Sequence, residues 1–488
     1  MPVRKLSSRR EFLRLSALAA SGAAILAACG PTAPPTAEPK TAAEATKPAA
    51  PTAAAPTKPT EPAKAAETAK PTVAAAKPAP AGTTEIRLHV RTGTEADTLA
   101  DLIPPFEKEQ NVKVKIESFP TNEYYQKLQI LLAGGQAGDV WWGVVYTGQG
   151  LYHAANGIML FLDDLVKADK FDLDQYYPAA IEGCRYKGQL FGLPFKLHPG
   201  AVALYYNVNL VKAAGIPEPK PKTHEELVDI AKALTKREGS KTTQWGYVHG
   251  FGSVPHFYIQ WTRAWGGDIL SKDGTKALVN TEPSMAGIRF AHDIIYKHKV
   301  APEMSQIANN DVGQLFISGV VGTMQGYSSD KSLPSRIKDR FQVMNTMMPK
   351  GPTGKYGLWM VTDFVGINAK TKYQQQSWEL TKLLGGKELG IRLGEGTGGA
   401  SGTSGGRKDV FESERLKKNP LHQMFIEAVS INEEGSEMRI PANFRGDEFN
   451  KALGQKMGPL WLGEAQPTKE FFDGVNKTLQ DILDKPAP

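Results

Sequence analysis

Cysteine is nearly absent from the 488 residues, occurring only as Cys29 and Cys184. That excludes a disulfide-stapled scaffold and a cysteine-built zinc site. Histidine is also sparse, and neither His249 with His256 nor His292 with His298 has the H-E-x-x-H spacing that sets two imidazoles on one helix face. No metal is therefore expected. The chain lacks a G-x-S-x-G nucleophile elbow and a G-x-x-x-x-G-K-[ST] phosphate loop, so neither serine hydrolysis nor nucleotide chemistry is indicated and no cofactor is expected. A glycosidase pair of carboxylates is the weak catalytic alternative, because separation along a sequence does not define the distance between two acids. Excess charge is scarce as well. The formal net charge is +7, but Arg4, Lys5, Arg9, Arg10 and Arg14 against Glu11 put +4 of it in residues 1–28, leaving +3 scattered over the rest. Nucleic acid, which selects a concentrated basic face, is not an expected partner. The apolar run from Leu15 to Ala28 falls short of the roughly 20 residues of a membrane-spanning helix.

What the start does contain is Ser8-Arg9-Arg10-Glu11-Phe12-Leu13-Arg14, then the apolar run, then Leu26-Ala27-Ala28-Cys29. This is a charged segment, a short hydrophobic segment and small residues before a cysteine. The first motif resembles a twin-arginine export signal and the second resembles the lipobox of bacterial lipoproteins. That resemblance implies a signal over 1–28, a lipid on Cys29, and a chain held outside the cytoplasm on a bacterial membrane. Residues 30–82 are almost entirely Ala, Pro, Thr, Lys and Glu, with no aromatic residue. Such a segment cannot bury enough apolar surface to offset its ordering entropy, so 29–82 reads as a lipidated cysteine and a disordered linker. Extended at roughly 3.1 Å per residue, the linker would reach on the order of 100 Å. Cys184 then has no internal partner and reads as a partly buried, unreactive thiol.

From residue 84 the hydrophobic period alternates. Ile86, Leu88 and Val90 recur every second residue, Leu99, Leu102, Ile103 and Phe106 recur at helical spacing, and Val112, Val114 and Ile116 return to a period of two. Strands covered by helices make an α/β fold. Tyr124, Leu128, Leu131 and Leu132 predict the next helix, stopped by Gly134-Gly135, and Asp139 to Val145 predicts a buried strand. Thr223-His224-Glu225-Glu226 has capping-box spacing, Pro283 suits the first turn of a helix, and Phe472, Val475, Leu479 and Ile482 stripe a final one. The stretch from Gly394 to Gly406 reads as a mobile connection or a backbone donor to ligand.

A series of motifs carries a family resemblance. Gly192-Leu193-Pro194-Phe195 is followed by Ala203-Leu204-Tyr205-Tyr206-Asn207 and Ala214-Gly215-Ile216; then come Pro221-Lys222-Thr223-His224-Glu225-Glu226-Leu227 and Trp265-Gly266-Gly267-Asp268. With Phe316 to Tyr327 and Gly366-Ile367-Asn368-Ala369, this order resembles family 1 extracellular solute-binding proteins of ABC importers, relatives of maltose-binding protein. His224 stands where that family often has Trp. The resemblance implies a two-lobed periplasmic-binding-protein-like fold (type II), hinged, with ligand in the cleft between lobes. It divides the chain into an N-terminal lobe of 84–195 plus 345–395 and a C-terminal lobe of 196–344 plus 396–488. The crossings fall near Pro194 to His198, near Gln342 to Met347 and near the glycine-rich stretch. It also implies a monomeric binding protein, not an enzyme, that delivers a mono- or oligosaccharide to a membrane permease. A polyol, a glycerol phosphate derivative or a peptide is the alternative ligand.

A sugar offers hydroxyls around its rim and weakly apolar faces, so its receptor needs flat rings beside charged and amide groups. The candidates in the first lobe are Arg91, Trp141, Trp142, Tyr146, Trp359 and Asp363. Trp141 and Trp142 adjoin on a predicted strand and face opposite sides, so only one of them lines the cleft if that strand is regular. In the second lobe they are His198, Trp261, Trp265, Tyr327 and Arg407. Trp261 and Trp265 share a helix face, which is core if buried and ligand wall if it lines the cleft.

Overall fold

The alternating residues Ile86, Leu88 and Val90 are fully buried in strand β1 (Thr84–Arg91), as a period of two requires. Helix α1 (Thr94–Gln110) buries Leu99, Ile103 and Phe106 along one stripe, and β2 (Val112–Phe119) returns parallel to β1. After α2 (Thr121–Ala133), the short strand β3 (Val140–Val144) is buried along its whole length. Such a strand belongs inside a sheet covered on both faces. The chain continues through β4 (Leu193–Pro199), β5 (Ala203–Asn207), β6 (Lys236–Glu238), β7 (Lys241–Val248), β8 (Val321–Gly326), β9 (Val343–Met347) and β10 (Met360–Ile367). This computed structural model describes residues 84–250, 256–307, 311–327, 332–396, 403–431, 433 and 435–486. The signal, Cys29, the linker and residues 397–402 of the glycine-rich stretch lie outside them.

These strands form two five-stranded mixed sheets, ordered β2-β1-β3-β10-β4 and β9-β5-β8-β7-β6. Each sheet has its own core: Trp141, Trp142 and Phe364 belong to the first, Tyr205, Trp261 and Trp359 to the second. The α/β fold is therefore two-lobed. A smaller cluster of Leu197, Met360, Val410, Phe411 and Phe425 flanks the strands that join the lobes.

Helices seal the sheets where local sequence starts them. Thr223 caps α3 (His224–Leu234) by accepting the Glu226 amide at 3.2 Å, but the Glu226 carboxylate takes the amide of Lys222, at 2.7 Å, one residue earlier than a capping box would. α4 (His256–Ala264) packs beside α5 (Glu282–Tyr296), which has Pro283 in its first turn. The chain ends in α6 (Gly446–Trp461) and α7 (Lys469–Leu483), and the predicted stripe of Phe472, Val475, Leu479 and Ile482 is buried in α7.

The chain passes from the first sheet to the second between Pro199 and Ala203 and returns between Met347 and Met360. Ladder pairing runs on to Pro199 opposite Met360 and to Met347 opposite Ala203. Residues 196–199 thus lie in a first-sheet strand and 345–347 in a second-sheet strand, whereas boundaries at 195/196 and 344/345 would divide both strands. Gly200 marks the first crossing. A Cβ there would fall 1.7 Å from the buried Trp359 ring, so the backbone passes where only glycine fits. The glycine-rich stretch itself also touches β4, where the Leu197 amide donates to the Ser404 carbonyl at 3.1 Å.

Candidate ligand-binding site

At the C-terminal end of β1, four charged side chains converge on the indole of Trp142. Asp363 on β10 lies opposite Lys196 on β4, and the ladder shifts register directly after Asp363; such irregularities re-aim side chains near sites. Lys196 Nζ sits 2.8 Å from Asp363 Oδ2 and 2.5 Å from Glu95 Oε1. Glu95, in the first turn of α1, also pairs with Arg91. Trp142 Nε1 donates to Asp363 Oδ2 at 3.0 Å, and the Arg91 guanidinium lies 4.1 Å over the Trp142 ring. Lys196, Asp363 and Glu95 are only 6, 8 and 9% exposed, so none can lose its partner to water. Removing one member of a buried pair typically costs about 3–5 kcal/mol. Burial alone would raise the Glu95 carboxyl, yet Lys196 and Arg91 hold it down at about 2.

Aromatic rings complete the surroundings. Tyr124 meets Trp142 edge-on at 4.8 Å and Tyr125 lies tilted at 5.7 Å. Tyr146, half-buried just beyond β3, packs against the cores of both lobes. Its carbonyl accepts from Asn450 Nδ2 of α6 at 3.3 Å, and Gln149 Nε2 donates to Asp447 Oδ2 of the same helix at 3.3 Å. Burial pushes the Tyr146 hydroxyl up to about 12, and Asp363 and Asp447 add to the shift. His198 and Tyr327 meet edge-to-face at 6.3 Å. Burial lowers His198 to about 4 against the opposing pull of Asp363. Rings with charged and amide groups at their edges can stack on an apolar face while satisfying hydroxyls.

Of the residues singled out from sequence, the structure brings Arg91, Trp142, Tyr146, His198, Tyr327 and Asp363 into one neighbourhood. It places five elsewhere. Trp141 faces the other side of β3, edge-on to His153 at 5.9 Å, with its Nε1 buried and unpartnered. Trp261 lies in the second core, donating to Gln325 Oε1 at 3.1 Å and stacked on His224 at 4.6 Å. Trp265 follows α4 and leans on Phe290 at 5.4 Å. Trp359 fills the crossing beside Gly200. Arg407 makes two bonds to Asp409, at 2.9 and 2.8 Å, with its guanidinium 5.9 Å from the Tyr176 ring.

Glu95, Lys196, Tyr125 and Asp447 belong to the neighbourhood and escaped the sequence reading. Lys196 carried a signal, being a lone lysine inside the apolar run Leu193 to Leu197. Glu95 carried a fainter one, an acid four residues after Arg91 at a helix start. A cavity of about 400 Å³ opens at the opposite end of β1, lined partly by Arg87 and Asp139. Open α/β sheets bind ligands beyond the carboxyl ends of their strands, which favours the Trp142 end over this cavity, where Arg87 pairs with Glu117 at 2.9 Å and Asp139 accepts from Thr371 at 2.6 Å. Cys184 is a fully buried free thiol whose ionisation burial pushes up. Among the described residues no cluster of three or more His, Cys, Asp or Glu could hold a metal, and no helix is long and apolar enough to cross a membrane.

The sequence pattern of a family described as bacterial extracellular solute-binding protein matches residues 101–424. A binding protein of Brucella abortus is 26% identical over 343 residues, covering 67% of this chain and 77% of the relative. Among solved structures, an ABC substrate-binding protein of Listeria monocytogenes in complex with cycloalternan superimposes with a TM-score of 0.67 at 17% identity, covering 82% of this chain and 99% of its own. A solute-binding protein of an ABC transporter from Thermotoga lettingae, bound with α-D-tagatose, gives 0.66 at 20% identity, covering 82% and 100%. At such identities the likeness speaks for a shared two-lobed fold.

Proposed function

The chain belongs to the bacterial extracellular solute-binding proteins, and from that premise we propose that it captures a mono- or oligosaccharide between its lobes and hands it to the permease of an ABC importer. Family membership puts it outside the cytoplasm and makes it a binding protein, not an enzyme. The observation that carries the carbohydrate reading is the Trp142 ring rimmed by Arg91 and Asp363, with Tyr146 touching both cores. The solved relatives bound to cycloalternan and tagatose support the same ligand class.

The proposed mechanism is reversible closure. A ligand that contacts both lobes favours their approach by its differential affinity for the closed form, and the closed form is what the permease recognises. The twin-arginine leader and Cys29 would place the protein on the membrane by a lipid, with residues 30–82 as its tether. Lobes built from discontinuous segments, with crossings at 199–203 and 347–360, would supply the hinge.

The test is thermal stabilisation of purified protein against neutral sugars, polyols, glycerol phosphate derivatives and peptides. Selective stabilisation by sugars is expected. Stabilisation by peptides alone would sink the reading.

A further inference from the structure

Resting on the carbohydrate reading of the Trp142 neighbourhood, a finer selectivity follows from its charges. Arg91 and Lys196 are the cations, and both are already paired with Glu95, while Asp363 takes a second contact from Lys196. Two positive groups are thus matched by two carboxylates. Helix N-termini are the other common source of anion affinity, because their free amides point outward. Here the first turn of α1 carries Glu95 and Asp97, and that of α6 carries Asp447 and Glu448. Each helix presents its own carboxylates where a foreign anion would otherwise settle. Asp447 adds a carboxylate near Tyr146, and among the described residues its side chain is partnered by the neutral amide of Gln149.

Neutral hydroxyls find a different surface. Both Trp142 and Lys196 approach Asp363 through Oδ2, leaving Oδ1 as an acceptor. Arg91 Nε is buried without a partner and can donate. A hydroxyl satisfies such groups without bringing charge into a desolvated space, whereas a carboxylate or phosphate would have to displace Glu95 from Arg91 and Lys196.

We propose that Glu95, by pairing with both Arg91 and Lys196 so that together with Asp363 it leaves no cation unmatched, is a specificity-determining residue that makes this site select uncharged polyhydroxylated ligands over carboxylated or phosphorylated ones. Glu95 acts through its two cationic partners and is in that sense a positioning residue.

The test compares the wild-type chain with Glu95→Gln and with the charge-balanced double variant Glu95→Gln, Lys196→Met. Two sets of probes are titrated calorimetrically at low ionic strength, where charge effects are least screened. Inorganic phosphate reports on charge alone, while neutral sugars are paired with their uronic acids. In the wild type, phosphate should show no binding and each neutral sugar that binds should do so at least about tenfold more tightly than its uronate, since one uncompensated charge contact is worth that much or more. Glu95→Gln should gain phosphate binding and narrow the sugar-to-uronate ratio, and the double variant should lose both gains. Asp363→Asn also leaves one positive charge unmatched, so it should reproduce the phosphate gain by a second route if Glu95→Gln fails to fold. Phosphate binding to the wild type as tightly as to Glu95→Gln overturns the proposal, as does a folded Glu95→Gln with unchanged anion affinity. Failure of every sugar to bind would defeat the carbohydrate reading while the phosphate titrations still decide the role of Glu95.

Discussion

Trp142 and Trp261 are both buried indoles that donate Nε1 to a side-chain oxygen, at 3.0 Å to Asp363 and 3.1 Å to Gln325. Their surroundings differ in kind. Around Trp142 stand Arg91, Lys196, Glu95 and Asp363, held in mutual pairs. Around Trp261 stand His224, stacked at 4.6 Å, His249 at 5.7 Å and Phe290 at 6.2 Å. Burial drives both histidines down to about 3, so they stay neutral. On the proposed reading, a ring among matched charges keeps polar groups ready for a guest, whereas a ring among neutral histidines packs as core. Aromatic residues alone do not distinguish wall from core; on that same reading the charged or uncharged character of their neighbours does.

Asp363→Ala would break this contrast most severely. It strips Lys196 of one carboxylate and Trp142 Nε1 of its acceptor in a buried setting, so urea unfolding should show a loss of about 3–5 kcal/mol, with sugar binding abolished. Trp261→Ala should cost a similar amount through the cavity it leaves, but ligand affinity per folded molecule should survive.

Acid should sharpen the contrast next. A histidine kept neutral in the fold binds fewer protons than it does in the unfolded chain. Stability from His224 and His249 is therefore whole above about pH 6.5 and falls as pH drops toward 3, by about 2 kcal/mol per histidine at pH 5. His153 and His198, lowered by burial to about 4, act in the same direction in the first lobe and at its edge. Glu95 is a depressed carboxylate, so its contribution persists until pH falls below about 4.5 and is lost on the way to about 2. His224→Phe keeps the stack on Trp261 without the titrating ring, and should flatten the melting profile between pH 6.5 and 4.5 by its share.

Trp142→Phe is a smaller change, keeping a flat ring but deleting the Nε1 bond. About 1–2 kcal/mol of stability should go, and calorimetry should show a clear drop in sugar affinity. Arg407→Ala should have the least effect. Its pairing with Asp409 is partly exposed, at 17 and 35%, so unfolding should shift by about 1 kcal/mol and sugar affinity should hold.

Local signals carried most of the fold. The alternation in β1, the stripe of α7 and the Thr223 cap are each written within a few neighbouring residues and each formed, although Glu226 takes the amide of Lys222 and not that of Thr223. The ends of β4 and β9 were not legible, because pairing to Met360 and Ala203 is made with strands distant in the chain. The same holds for the charges, with Lys196 meeting Glu95 across 101 positions and Trp142 meeting Asp363 across 221. The opposite orientation of Trp141 and Trp142 was legible, because strand geometry forces it. Arg407 was legible in principle, since its partner Asp409 lies two residues away.

Solution X-ray scattering on the protein, with and without a saturating amount of a sugar found to stabilise it, tests most directly whether the Tyr146 junction is where a guest draws the lobes together. The radius of gyration should fall on saturation, and should fail to fall for Asp363→Ala. A saturated wild-type protein with an unchanged radius would contradict the account.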